Sequence, residues 1–191
     1  MKLLTALILS FSLNSAFAEM NQEEMMKKMQ EAGTPGEAHK VLSEIAGEWT
    51  FISKNWETAD SKPHEGSGTS SMKMIMDGRY LQQELKSKMM GMEYSGMGFT
   101  GYDNIKKIYN VIWMDSMSTG MMMATASYNS KTKTLTEKGE FSCPMTENKK
   151  SDYRADWKTI DKNNAVYTMY GKGPTGKGKE FKMMELTYKR K

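Results

Sequence analysis

Apolar and polar residues follow two different periods along this chain, and the change falls at Gly47. Before it the spacing is helical. Met25, Met26 and Met29 recur within a polar stretch over residues 19–32, and Ala38, Leu42 and Ile45 recur at intervals of four and three over residues 35–46. Gly33-Thr34-Pro35-Gly36 separates the two stretches. Pro35 suits a first helical position, so Thr34 reads as the N-cap and Glu37 as its capping-box partner. Residues 19–34 are thus expected to form a polar arm or short helix, and residues 35–46 a helix that Gly47 ends.

After Gly47 the period becomes two. Short alternating segments broken by turn residues predict strands over 48–57, 67–77, 79–88, 92–102, 107–115, 119–128, 133–142, 151–160, 164–171 and 179–189. The turns between them include Asp77-Gly78, Asp103-Asn104, Asn129-Ser130, residues 161–164 and residues 173–176. Tyr153-Arg154-Ala155-Asp156-Trp157-Lys158 alternates most clearly, with aromatic and small residues on one face and charges on the other. Ten consecutive strands with no helix between them predict a mainly β protein: an up-and-down antiparallel barrel over residues 35–191, preceded by a short helix. Closure would remove the sheet edges that invite aggregation. A two-sheet sandwich is the alternative.

The first 18 residues have a different character. Lys2 is followed by the apolar run 3–9 and by Ala16-Phe17-Ala18, a small-x-small ending, which together predict a signal peptide cleaved near Ala18-Glu19. The run is shorter than the roughly 20 residues that span a bilayer. The sequence holds no second such run, so no membrane span is expected, and no cysteine follows the first one to carry a lipid. The expected localisation is therefore exported, periplasmic or secreted.

Composition adds what fills the barrel. Leu, Ile, Val and Phe number only 27 of 191 residues, against 21 Met, nine Tyr and four Trp. Methionine is a flexible gap-filler that suits adaptable apolar pockets, so core and cavity walls rich in Met and aromatics are expected. The net charge of +4 is too mild to argue for nucleic acid as a partner. The single Cys143 excludes a disulfide framework and reads as a small buried residue.

Two resemblances follow from particular residues. Ala46-Gly47-Glu48-Trp49, directly after a short helix, resembles the Gly-x-Trp signature that opens the first strand of lipocalins and fatty-acid-binding proteins. In that superfamily a basic residue late in the last strand packs across the Trp, and Arg190 is the matching position; Gly47, Trp49 and Arg190 are thus the implied structural signature. Gly33–Gly36, the same Ala46-Gly47-Glu48-Trp49, Gly78-Arg79-Tyr80-Leu81, Gly101-Tyr102-Asp103-Asn104, residues 113–120 and Met184-Glu185-Leu186-Thr187-Tyr188 are similar to segments of the bacterial family known as domain of unknown function 1579. That resemblance implies a lipocalin-like (calycin-type) barrel and assigns no activity and no catalytic residue.

Candidate chemistry is sparse. Neither His39 nor His64 has a Cys or His at ligand spacing, and no histidine follows His64 to hold haem as some small bacterial barrels do, so no cofactor is implied. Serine hydrolysis lacks the Gly-x-Ser-x-Gly motif, and the glycines and lysines of residues 173–178 lack the strand–loop–helix context of a phosphate cradle. Met72, Met74 and Met76 alternate on one expected strand face, with Met90 and Met92 nearby, and thioethers are soft ligands for copper(I). Met-based copper(I) binding or oxidant buffering is accordingly one expectation. The leading expectation is an interior site for a small apolar molecule, walled by Met and aromatics, with Arg79, Tyr102, Trp113, Asp115 and Glu185 as convergent polar and aromatic groups. Arg79, Asp115 and Glu185 could equally form salt bridges or cap turns. A third reading makes Asp115 or Glu185 the general base of an enzyme.

Overall fold

A computed structural model describes residues 22–89, 91–143, 146, 150–173 and 178–191. The expected signal peptide and cleavage site lie outside the described residues, as do Met90 and residues 174–177. Two helices, α1 (Gln22–Gly33) and α2 (Glu37–Ile45), precede ten strands. These are β1 (Gly47–Asn55), β2 (His64–Ile75), β3 (Tyr80–Met89), β4 (Met92–Asp103), β5 (Ile108–Asp115), β6 (Met122–Asn129), β7 (Thr134–Ser142), β8 (Lys150–Thr159), β9 (Asn164–Gly171) and β10 (Phe181–Arg190). Each strand pairs antiparallel with the next, and β10 pairs back onto β1 from Trp49↔Arg190 to Asn55↔Met184, closing an up-and-down barrel. The sandwich alternative is thereby excluded.

Helix α2 starts two residues later than the sequence predicts. Gly36, in an extended conformation, is the N-cap, and its N–H donates to Nδ1 of His39 at 3.0 Å. Thr34 instead donates its hydroxyl to the Gln30 carbonyl in the last turn of α1 (2.6 Å), and Glu37 pairs with Lys40 on the surface. His39, Leu42 and Ile45 are the buried face of α2, which rests against β2, β3 and β4 and stops one end of the barrel. Helix α1 buries no residue, and Met25, Met26 and Met29 are exposed on it.

The closed end is held by residues far apart in sequence. Arg190 lies 4.1 Å over the Trp49 ring and donates to the carbonyls of Ala46 (2.5 Å), Glu44 (2.9 Å) and Lys162 (2.7 Å). One cation therefore satisfies the last carbonyls of α2 and ties them to the β8–β9 turn, which suits the negative end of a helix. Trp49, only 1% exposed, donates its indole N–H to the Ile45 carbonyl and meets Trp157 and Tyr188 edge-on. Gly47 has φ +147°, and a Cβ there would overlap the Arg190 guanidinium, so both the backbone and the available space require glycine.

Candidate functional site

Above α2 the barrel encloses a cavity of about 470 Å³. Leu42 and Ile45 of α2 form its floor, and residues from all ten strands form its wall. The wall is mainly apolar and aromatic, with Phe51, Leu85, Trp113, Trp157, Leu186 and Tyr188 among its members. Asn55, Glu57, His64 and Lys88 stand at the opposite end, where β1 turns into β2 and β3 runs out. This volume lies within the range of small-molecule sites.

Two of the five residues singled out from sequence face this cavity. Trp113 lies flat against β4 because Gly96 and Gly98 leave room for its ring; a Cβ on Gly96 would overlap the indole. Asp115 lies beside it, at the end of β5. Its Oδ2 accepts from Trp113 Nε1 and from the Tyr94 hydroxyl, both at 3.2 Å, and its Oδ1 accepts from the Met117 N–H at 2.9 Å. The Asp115 carboxylate thus spends both oxygens on holding two rings and a turn, a poor arrangement for a general base.

The other three lie elsewhere. Arg79 sits in the β2–β3 turn, outside the cavity lining, because β3 begins one residue later than expected. It donates to the carbonyls of Gly33 and Met76 (both 3.0 Å) and pairs with Asp77 (3.4 Å), bracing the α1–α2 junction. Asn104 braces the same junction from the β4–β5 turn through the carbonyls of Ala32 and Thr34. Tyr102 packs at the closed end, edge-on to His39 at 5.9 Å and to Tyr109 at 4.8 Å, while Tyr109 donates to the Ala38 carbonyl. Glu185 belongs to the outer face of β10, since Met184, Leu186 and Tyr188 line the cavity, and it pairs with Lys182 at 2.8 Å. The general-base reading of Glu185 loses its premise of an interior carboxylate.

The methionine set is likewise dispersed. Met72 is buried on the cavity wall and Met74 packs under the core. Strand β2 ends at Ile75, so Met76 turns away with φ +50° and is 65% exposed. Met92 is exposed at the other end of β3, about 30 Å away at roughly 3.3 Å per strand residue. The four described sulfurs do not converge on a common ion. Nor do the described methionines chiefly fill the interior: Met72, Met122, Met169 and Met184 line it, whereas Met25, Met26, Met29, Met76, Met92, Met117, Met121 and Met123 are exposed. Among the described residues no group of three or more His, Cys, Asp or Glu could hold a metal ion.

One interior group was absent from the sequence reading. Glu137, in the middle of β7, points inward with Leu135 and Phe141 and is only 8% exposed. Its Oε1 accepts from the Tyr167 hydroxyl at 2.6 Å. Burial pushes the Glu137 carboxyl above its ordinary value, the Tyr167 hydrogen bond opposes this, and the charge of Asp156 adds to the rise. Burial also raises the Tyr167 and Tyr153 hydroxyls, with the Glu137 charge adding to each. The alternation Leu135-x-Glu137-x-Gly139-x-Phe141 was the available signal.

The solved structure of Rv2717c from M. tuberculosis superposes with a TM-score of 0.58 at 13% identity, over 83% of this chain and 99% of that one. At that identity the likeness concerns the fold alone. Among curated proteins no match is found. No described helix is long and apolar enough to cross a membrane. A family model described as protein of unknown function (DUF1579) matches residues 34–190, which span the helix α2 and all ten strands, and the chain therefore belongs to that family.

Proposed function

We propose that this protein is an exported barrel that binds a small, mainly apolar molecule in its interior. The observation that carries the reading is the cavity of about 470 Å³, with an apolar and aromatic wall and a few inward polar groups. Such a composition suits ligands whose contact area comes from apolar surface and whose orientation comes from one or two polar contacts. Asp115 and Gln83 are committed to wall residues: Gln83 donates to Ser70 at 3.1 Å and to Tyr188 at 3.5 Å. Export rests on residues 1–18 and is tested by the N-terminal residue of the protein recovered from the periplasm, expected to be Glu19. Ligand binding is tested by native mass spectrometry of protein purified from its own compartment, followed by a cocrystal. A mass excess lost on unfolding, with matching density inside the barrel, is the expected result. An interior filled by side chains, with no bound species, overturns the reading.

A further inference from the structure

Among the described residues, the charged groups inside the barrel below the rim are acidic. Asp115 and Glu137 are the acidic groups on the inner wall below the rim, and no Lys, Arg or His of the described lining lies beside them. The basic residues of the lining, Lys88 and His64, stand at the rim, where Lys88 pairs with Glu93 at 3.3 Å and His64 shares a hydrogen bond with Glu57 at 3.2 Å. Neither interior carboxyl makes an ion pair within the described residues. Their situations differ, however: Asp115 has both oxygens hydrogen-bonded, whereas among the described residues Glu137 takes one hydrogen bond, from Tyr167, on Oε1 alone. The second Glu137 oxygen is left for the lumen.

The surroundings of Glu137 leave space for something else to meet it. Its register partners on β6 and β8 are Ala126 and Ala155, whose methyl groups are too short to reach the carboxyl. Tyr153 and Trp157 flank Ala155 on the same face of β8, and Tyr167 faces Trp157 from β9. Aromatic faces are electron-rich and attract cations, more strongly where water is excluded. A buried carboxyl among three aromatic rings, with no described cation beside it, is complementary to an ammonium group. An anionic head would meet like charge, and a wholly apolar ligand would leave Glu137 Oε2 buried without a donor.

We propose that the interior selects a lipophilic organic cation, whose ammonium head donates to Glu137 between Tyr153, Trp157 and Tyr167 and whose apolar body lies along the Met and Leu wall. This rests on the reading of the interior as a ligand site and adds the class of ligand. The elevated carboxyl of Glu137 is consistent with it, because burial disfavours the charged form and no described cation opposes that rise.

Three probes of matched length separate the classes: decylammonium, decanol and decanoate, each titrated into the purified protein at pH 7.5 by calorimetry. The expected result is decylammonium binding at least about tenfold tighter than decanol, one charge-assisted hydrogen bond being worth about that factor. Decanoate is expected to bind weakest, and in Glu137→Gln the preference for the amine should fall to within about threefold. Decanol or decanoate binding as tightly as the amine overturns the inference on the unaltered protein, without reliance on the variant folding. An amine preference that survives in a folded Glu137→Gln overturns it as well. In both cases the barrel remains a ligand-binding protein. If none of the three probes binds, the inference fails, while the ligand-site reading is decided separately by native mass spectrometry and the cocrystal.

Discussion

Replacing Gly47 by alanine tests the account of the closed end most directly. Two costs are expected, and they have separate origins. The backbone at φ +147° is one that residues with a Cβ adopt only under strain, worth about 1–3 kcal/mol. The added methyl would also overlap Nη1 of Arg190, which cannot move freely because it is bonded to three carbonyls and stacked on Trp49. Overpacking of that kind costs about 1–3 kcal/mol. The sum, roughly 2–6 kcal/mol, is a large part of the 5–15 kcal/mol that stabilises an ordinary domain. At about 2–4 °C per kcal/mol for a chain of this size, Tm should fall by roughly 5–20 °C. Urea unfolding followed by tryptophan fluorescence measures the loss, and a cycle with Arg190→Met divides it. Without the guanidinium the methyl has room, so Gly47→Ala should then cost only the backbone part, giving a coupling of about 1–3 kcal/mol. A loss below about 0.5 kcal/mol, or the same loss in both backgrounds, would refute the reasoning.

Three further predictions concern polar groups. Because burial raises the Glu137 carboxyl, the folded state keeps its proton to higher pH than the unfolded chain does. That contribution is full below the ordinary carboxylate range and is lost as pH rises through the elevated value. Wild-type stability relative to Glu137→Gln should therefore fall as pH rises above the ordinary carboxylate range, and urea midpoints that show no fall would count against it. His39 shifts the opposite way: burial lowers it, with the Tyr102 backbone hydrogen bond opposing and Arg79 reinforcing the drop. The unfolded chain then takes up this proton first, so the stability is full above about pH 6.5 and declines as pH falls below it. His39→Gln should abolish that dependence in thermal melts; an unchanged slope would remove His39 as its source. Asp115→Ala leaves the Tyr94 hydroxyl and the Trp113 indole N–H without their acceptor, at about 1–3 kcal/mol for each buried group, whereas Asp115→Asn keeps an acceptor and should cost less. Equal unfolding midpoints for the two variants would show that the carboxylate does not hold the rings.

The sequence was most legible where a residue type answers a demand of the backbone. Period-two alternation located all ten strands, and turn residues such as Asp77-Gly78 and Asp103-Asn104 separated them close to the observed ends. The segments that carried the family resemblance largely converge on one place. Gly33 touches Arg79, Thr34 touches Asn104, and Arg190 reaches Ala46 and Trp49, so those motifs chiefly describe how the barrel is closed by its helices. Interior polarity was much less legible, because it depends on register: a one-residue shift exchanges the faces of a strand. Arg79 fell outside when β3 began one residue later, and Glu185 fell outside because Leu186 and Tyr188 face the core. Glu137 was overlooked for the converse reason. Beside Thr136 and Lys138 it looks like part of a solvated stretch, and only its alternation with Leu135 and Phe141 places it inside. Composition misled in a related way, since the abundance of methionine describes the chain as a whole, and much of it lies on α1, in turns and on outward strand positions. This barrel is therefore specified by two kinds of residue: many that close it, which local rules reveal, and a few polar ones that face its interior, which only the completed register reveals.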